Sequence, residues 1–120
     1  MVAAGSLEFD ERPETLAAID KAIHGCRKCP IGLLDNHAVM GEGPQDAAQG
    51  FSGLMIVGEQ PGDQEDLAGR PFVGPAGQLL NRALQELGID RSTLYLTNAV
   101  KHFRYERRGN KRIHSKPQVT

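Results

Sequence analysis

Residues 54–100, LMIVGEQPGDQEDLAGRPFVGPAGQLLNRALQELGIDRSTLYLTNAV, decide the fold because strand and helix patterns alternate along them. The apolar run 54–57 ends at Gly58, which is typical of a buried parallel strand. Apolar residues recur at helical spacing over 76–87 and Gly88 follows, so this segment is predicted to be a helix. The β-rich segment 94–100 completes a strand, helix, strand unit. Two parallel strands joined by a helix predict the α/β class.

Two loops are predicted to meet at one edge of this sheet. The first runs from Gly58 to Asp66 and is acidic, and the second runs from Asn98 through a basic segment to His114. The loops that follow parallel strands lie at the carboxyl edge, where open α/β sheets bind ligands. Neither phosphate-binding glycine motif is present. Acidic side chains of the first loop could bind a divalent metal, act as a base or face solvent.

Length and composition indicate one modest, loop-rich domain. The chain has 120 residues, of which 39% are hydrophobic and 14 are glycine. Apolar runs are far shorter than the roughly 18 residues that span a bilayer, and the acidic start is unlike a secretion signal. We therefore expect a soluble, unexported, cytoplasmic protein with no membrane contact.

The charge is distributed unevenly along the chain. Residues 1–100 hold 7 Lys/Arg and 14 Asp/Glu, whereas residues 101–120 hold 7 and 1, so the balances are -7 and +6. Aromatic residues Phe103 and Tyr105 are interleaved with the terminal cations. This pattern is typical of a segment that contacts a phosphate backbone. A solvated basic tail is the alternative.

The two cysteines, Cys26 and Cys29, form a C-x-x-C motif after a predicted helix over residues 13–24. A redox disulfide usually lies near a βαβ unit, so metal binding is the preferred interpretation. Two thiolates cannot complete a four-ligand site, and further ligands are needed. The histidines that could contribute are His24, His37, His102 and His114. Residues 37–53 are predicted to be mostly loop, with a short strand at 38–40.

Four words of the sequence together resemble one family. These words are the motifs GEQPGDQED, GRPFVGPAGQLL, LYLTNAVKHF and KRIH. In the order and spacing of these motifs the chain resembles the iron-sulfur branch of the uracil-DNA glycosylase superfamily, and most of all its UdgX type. The similarity runs from about Cys26 to Pro117. It implies a three-layer α/β/α sandwich with a central parallel sheet. Residues 1–120 are then the N-terminal part of a single domain whose C-terminal part is absent from this chain.

The resemblance also implies roles for individual residues. Considered alone, Phe72 could be a core residue or a residue that stacks on a base. The resemblance implies that it stacks on the extruded uracil. Considered alone, Asn98 could belong to a turn or could hydrogen-bond the edge of a base through its amide. The resemblance implies that it recognises the pyrimidine edge of uracil. The remaining residues of the implied site lie in the catalytic loop with its glycine turn and in the KRIH word: Gly58, Glu59, Gln60, Asp63, Arg112 and His114. Arg112 is expected to hold phosphates, and Glu59 to accept the N–H of the His114 imidazole.

The same resemblance implies a 4Fe-4S cluster held by Cys26 and Cys29. Most relatives have a cysteine immediately after the NAVK word, where this chain has His102, so His102 is expected to be the third ligand. The fourth is expected beyond Thr120. The KRIH word departs from the usual K-R-R-I-H at its first position, which is Asn110 here. The loss of that cation could soften a phosphate contact.

The function implied is excision of uracil from DNA, a step of DNA repair. In the UdgX type, His114 attacks the deoxyribose C1' and leaves a covalent protein-DNA adduct after a single turnover. The expected partners are uracil-containing single-stranded DNA and the rest of the same domain, in a monomeric protein, and the isolated 120-residue piece is expected to be unstable or inactive. Three alternatives stay open: an ordinary iron-sulfur glycosylase that releases free abasic DNA, a non-catalytic single-stranded DNA-binding module, and a metal-stabilised structural or electron-transfer protein.

Overall fold

The structure is a computed structural model and describes residues 14–28, 31 and 36–116. The helices and strands in these ranges are α1 (Leu16–His24), β1 (Met55–Gly58), α2 (Asp63–Ala68), α3 (Pro75–Leu87), β2 (Tyr95–Asn98), β3 (Tyr105–Arg108) and β4 (Lys111–His114). Short 3-10 helices lie at Ala47–Gln49 and Arg91–Thr93. None of the helices in the described ranges combines the length and apolar character needed to cross a bilayer.

The predicted βαβ unit is confirmed. Strands β1 and β2 pair in parallel, and their register places Met55 beside Tyr95 and Gly58 beside Asn98. Helix α3 begins with Pro75 after Gly74 and ends at Gly88, whose φ of 68° is the left-handed cap that glycine adopts at low cost. Gly58 and Asn98 therefore end adjacent strands at the same edge of the sheet.

A helix packs on one face of this sheet, as expected of an α/β fold, and the described residues cover the other face only in part. On one face Leu84 of α3 packs against Leu94 and Leu96, with Ile56 at the margin. Burying each leucine contributes roughly 1.5–3 kcal/mol. On the other face Leu16 of α1 lines a cavity of about 150 Å³ together with Met55 and Tyr95.

The expectation that the run 54–57 is a buried strand is wrong for one face. Met55 and Val57 are 53% and 56% exposed, whereas Ile56 is half-buried against the core. Alternate residues of a strand point to opposite faces. The described residues cover the Ile56 face with α3 and leave the Met55 and Val57 face largely open.

Two further expectations about elements are corrected. No strand forms at residues 38–40; instead, isolated antiparallel bridges join Ala38 to His102 and Glu42 to Leu96. Strand β2 thus has the parallel strand β1 on one side and this irregular segment on the other. Helix α1 begins at Leu16, and its Thr15 side chain caps the first turn; residue 13 lies outside the described residues.

Both segments predicted as loops contain regular structure. Helix α2 occupies the second half of the acidic loop, and β3 pairs with β4 in an antiparallel hairpin within the basic segment. The hairpin turns at Gly109, whose φ is 65°. Phe103 and Tyr105 are buried, so these two aromatic residues belong to the core at the base of the hairpin rather than to a DNA-facing surface.

Candidate functional site

A cavity of about 200 Å³ lies at the carboxyl edge of the parallel strands. It brings together four of the residues predicted from sequence, which come from four separate segments: Gln60 after β1, Phe72 before α3, Asn98 at the end of β2 and His114 at the end of β4. The other lining residues are Gly62, Glu65, Pro75 and Ala76. The sequence prediction that two loops converge here is confirmed.

One part of the cavity lining is formed by Phe72 and Asn98, and Gly58 lies against both side chains. A Cβ placed on Gly58 would lie 2.5 Å from Asn98 Oδ1 and 2.9 Å from Phe72 Cζ, so only glycine allows the amide and the ring to approach each other. Asn98 is 4% exposed, and Phe72 is half-buried. An aromatic face beside a nearly buried amide is an arrangement that can stack on a base and hydrogen-bond its edge.

A second part of the cavity lining is formed by His114 and Gln60, whose Nε2 atoms are 2.7 Å apart. The Gln60 amide can be oriented because its oxygen accepts the N–H of Arg104 and its nitrogen donates to the carbonyl of Ser115. The amide NH₂ therefore faces the imidazole. Nε2 of His114 must be the acceptor, which places the ring proton on Nδ1 and leaves a lone pair on Nε2.

Glu59 is not the partner that the structure gives to His114. Its side chain is exposed, and its main-chain carbonyl accepts the N–H of Val100. The observed ring contact is made by the neighbouring Gln60. That Glu59 accepts the Nδ1 proton stays a prediction.

Arg112 is expected to hold phosphates, but in the structure its guanidinium contacts two carboxylates. Its guanidinium lies 2.7 Å from Asp63 Oδ1 through Nε and 2.6 Å from Asp66 Oδ2 through Nη1. The side chain is only 15% exposed, and that of Asp66 is 1% exposed. Burial acts to lower the pKa of Arg112, but the hydrogen bonds that its guanidinium donates to Asp66 and Asp63, together with the charges of these carboxylates, raise it. Asp63 and Arg112 therefore attach the hairpin to α2, next to the cavity.

Glu65 and Asp66 are buried residues of this region, and the sequence interpretation left open whether they bind a metal, act as a base or face solvent. Glu65 accepts main-chain N–H bonds from Gly62, Val73 and Gly74. Asp66 accepts the N–H of His37 at 2.6 Å in addition to its Arg112 contact. A glycine followed three residues later by glutamate resembles a capping box, and that signal could have revealed a helix start at this point.

The predicted metal ligands are only partly within the described residues. Cys26 is a partly buried free thiol, whereas Cys29 lies outside those residues. His102 is half-buried; burial lowers its pKa, the charges of His24 and Arg27 lower it further, and Asp66 opposes them. The described residues contain no group of three His, Cys, Asp or Glu side chains arranged to hold a metal. The half-buried imidazole of His102 is nevertheless a chemically suitable metal donor.

The cations of the basic segment divide into internal and exposed ones. Lys101 donates to Thr97 Oγ1 at 2.5 Å and to the carbonyl of Asn98, and burial lowers its pKa. It therefore supports the end of β2. Arg107, Arg108 and Lys111 are exposed around the hairpin turn. In the part of the basic segment that the structure describes, this second group and Lys116 present positive charge to solvent.

Comparison with known proteins shows which family the sequence resembles. Residues 44–119 match the Uracil DNA glycosylase superfamily. The chain is similar to the Type-4 uracil-DNA glycosylase of Pyrobaculum aerophilum, with 49% identity over 86 residues, which cover 72% of this chain and 41% of that protein. It is also similar to the Type-4 uracil-DNA glycosylase of Thermotoga maritima, with 41% identity over 90 residues, or 75% and 44% of the two chains. The matched part thus spans about two fifths of these relatives.

Proposed function

The chain belongs to the Uracil DNA glycosylase superfamily, and from this premise we propose that it supplies the uracil-binding wall and a nucleophilic histidine of an enzyme that excises uracil from DNA. The observation that carries the proposal is the shared cavity of Gln60, Phe72, Asn98 and His114. We further propose that the protein is of the UdgX type, in which His114 becomes bonded to the DNA. Its cellular role is then DNA repair.

Base recognition is assigned to the part of the cavity lining against which Gly58 lies. A base inside a duplex is out of reach, so the enzyme acts on single-stranded DNA or extrudes the nucleotide. The Phe72 ring offers a stacking face, worth about 1–3 kcal/mol per base. The Asn98 amide offers a donor and an acceptor to the pyrimidine edge. Hydrogen bonds to the departing base stabilise the negative charge that develops on it.

Covalent capture is assigned to His114. The Nε2 lone pair exchanges its contact with the Gln60 amide for a bond to C1', and the C1'–N1 bond breaks with its electron pair going to uracil. Uracil leaves as the anion and takes up a proton from solvent. The alkylated ring carries a positive charge until Nδ1 gives up its proton, for which Glu59 is the proposed acceptor. No water reacts with C1' in this step, so the product is an adduct.

A 4Fe-4S cluster is proposed to be held by Cys26, Cys29 and His102, with a fourth ligand outside this chain. The thiol of Cys26 and the half-buried His102 suit such a group. When bound, the cluster supplies a structural link between the segment after α1 and the end of β2. His102 follows Lys101, which itself hydrogen-bonds Asn98. The proposed role of the cluster is therefore to stabilise the base-reading edge.

Single-stranded DNA carrying uracil is the proposed substrate, and the exposed cations of the hairpin are the proposed phosphate contacts. Arg107, Arg108 and Lys111 surround the turn of the hairpin whose second strand ends at His114. Contacts of this kind weaken as salt is raised. The rest of the domain, which the relatives possess, is the second proposed partner.

Ordinary excision is the second candidate, because the relatives carry the name uracil-DNA glycosylase without mention of an adduct. In that reaction water attacks C1' and free abasic DNA is released. Gln60 and Asp63 would then orient the sugar or the water.

The two candidates are separated by a denaturing gel of the full-length protein after incubation with uracil-containing single-stranded DNA. Capture gives a slow-migrating band that is absent with His114→Ala. Free abasic product with no slow band refutes capture and supports ordinary excision, and no excision at all refutes both.

Gln60→Glu sharpens this test. A carboxylate in place of the amide faces the ring nitrogen with an acceptor, which favours the protonated Nε2 and removes its lone pair. The fraction of excised sites that become adducts should fall about tenfold. Gln64→Glu, an exposed change of the same type on α2, should leave that fraction unaltered. Equal adduct fractions in all three proteins would contradict the assigned tautomer.

A further inference from the structure

One buried carboxylate outside the predicted site joins both loops that form the cavity. Glu65 is 8% exposed, and its Oε1 accepts the N–H of Gly62 at 3.0 Å. Its Oε2 accepts the N–H groups of Val73, at 2.8 Å, and Gly74. A single side chain therefore hydrogen-bonds three main-chain donors, one in the turn that carries Gln60 and two immediately after Phe72.

The loop that follows Phe72 needs such a constraint. Phe72 is the one non-glycine residue with positive φ in the described part of the chain, at 54°. A bulky residue persists in this conformation only where surrounding contacts fix it. The two N–H groups after it are those bound by Glu65. The carboxylate thus holds the strained conformation that directs the ring into the cavity.

The fit around the carboxylate is close on both sides. A Cβ on Gly62 would lie 2.9 Å from Glu65 Oε1, and a Cβ on Gly74 would lie 3.0 Å from Oε2. Both loops therefore approach the carboxylate through glycine. This arrangement fixes the separation of the two loops and not merely the start of α2.

We propose that Glu65 is a positioning residue that sets the gap between the Gln60 turn and the Phe72 ring, and so fits the cavity to a flat pyrimidine. The inference rests on the proposed uracil excision. Glu65 acts through Phe72 and the Gln60 turn, and it needs no contact with the reacting atoms.

Glutamine cannot replace this side chain. A carboxylate offers two acceptor oxygens, whereas an amide offers one acceptor and one NH₂ donor. In Glu65→Gln the NH₂ group must face either Gly62 N–H or the pair of N–H groups after Phe72. One of the two loops loses its acceptor, so the side chain no longer joins them and the gap between the Gln60 turn and the Phe72 ring is no longer fixed.

The test measures uracil excision by the full-length protein in excess over a uracil-containing single-stranded oligonucleotide. Glu65→Gln should lower the rate at saturating protein at least tenfold. Its affinity for the same oligonucleotide with thymine in place of uracil should stay within twofold of wild type, because phosphate contacts lie on the hairpin. Glu42→Gln is the matched control, since Glu42 pairs with Arg70 outside the cavity and should keep the full rate.

A double-mutant cycle with Phe72→Ala distinguishes positioning from general stabilisation. If Glu65 acts through the ring, Glu65→Gln should reduce the rate less than threefold once the ring is absent. Full multiplication of the two effects would overturn the inference. Gly74→Ala, whose Cβ displaces the carboxylate without changing its charge, provides a second variant should Glu65→Gln not fold, and it should cause a similar loss.

The outcomes separate this inference from the function on which it rests. A wild-type protein that excises uracil beside a fully active Glu65→Gln variant refutes only the role of Glu65. A folded wild-type protein that excises no uracil refutes both.

Discussion

The two parts of the cavity lining are constructed differently. Gly58 and Asn98 are the last residues of paired strands, and their places are fixed by main-chain pairing and by the leucine core beneath. His114 is an exposed residue at the end of a hairpin, and side chains hold it in place: Gln60 contacts its ring, and Arg112 joins the hairpin to α2. The base-reading part thus belongs to the fold, whereas the nucleophile is brought to it by polar contacts. Base recognition and covalent capture should respond separately to mutation.

The largest effect should come from cutting the attachment of the hairpin. Arg112→Met leaves the buried carboxylate of Asp66 without its cation, and removing one partner of a buried ion pair costs about 3–5 kcal/mol. The hairpin should detach, and adduct formation should be lost while some base binding remains. Hydrogen exchange of residues 105–114 and the denaturing gel measure the two consequences.

The two acids that bind Arg112 provide a matched pair of controls. The Asp63 side chain is 45% exposed, so Asp63→Asn should cost under about 1 kcal/mol, as exposed ion pairs do. Asp66→Asn should cost several times more, because this carboxylate is 1% exposed and also binds the N–H of His37. Equal protection of the hairpin in Arg112→Met and wild type would show that the ion pairs do not hold it.

A smaller effect on stability, confined to the base-reading part, should follow from Gly58→Ala. The added methyl group overlaps Asn98 Oδ1 and Phe72 Cζ, and overpacking of this kind costs about 1–3 kcal/mol. The ring and the amide must separate, so the excision rate should fall by about tenfold to a hundredfold. Affinity for DNA without uracil should be unchanged, because the hairpin is untouched.

The control for this change is Gly25→Ala, where an added Cβ meets no atom within 4 Å. It should keep the wild-type rate. A Gly58→Ala protein that excises uracil normally would mean that Asn98 and Phe72 need not approach each other, and it would remove the main support for base recognition in this part of the cavity.

The sheet and the hairpin also differ in how well they could be predicted from the sequence. The β1, α3 and β2 segments follow apolar periodicity, so their order and parallel pairing could be inferred from residues 54–100. The hairpin has no apolar alternation, since its strands read YERR and KRIH. Its one local signal is the Gly109-Asn110 pair between two short runs, which is typical of a tight hairpin turn.

The interior acids could not be predicted for a related reason. Glu65 and Asp66 have the charge of surface residues, and their burial depends on partners from outside the loop, the N–H groups of Val73 and Gly74 for Glu65 and Arg112 for Asp66. No pattern within the acidic loop contains those partners. The sequence therefore indicates which residues gather at the cavity, and the structure shows which of them support the others.

The smallest effect should come from a single exposed cation of the hairpin. Arg108 lies beside the turn and belongs to the group proposed to contact phosphates. Arg108→Gln removes one such contact, so the slope of log affinity against log salt should become shallower by about 0.7 for single-stranded DNA. The adduct yield at saturating DNA should not change, because His114 and its Gln60 contact are unaffected. The control is Arg82→Gln, which removes an exposed cation of α3 and alters the net charge equally. It should leave the slope unchanged. Equal changes of slope in both variants would mean that the hairpin contributes only its charge to the overall field of the protein, and not a specific phosphate contact.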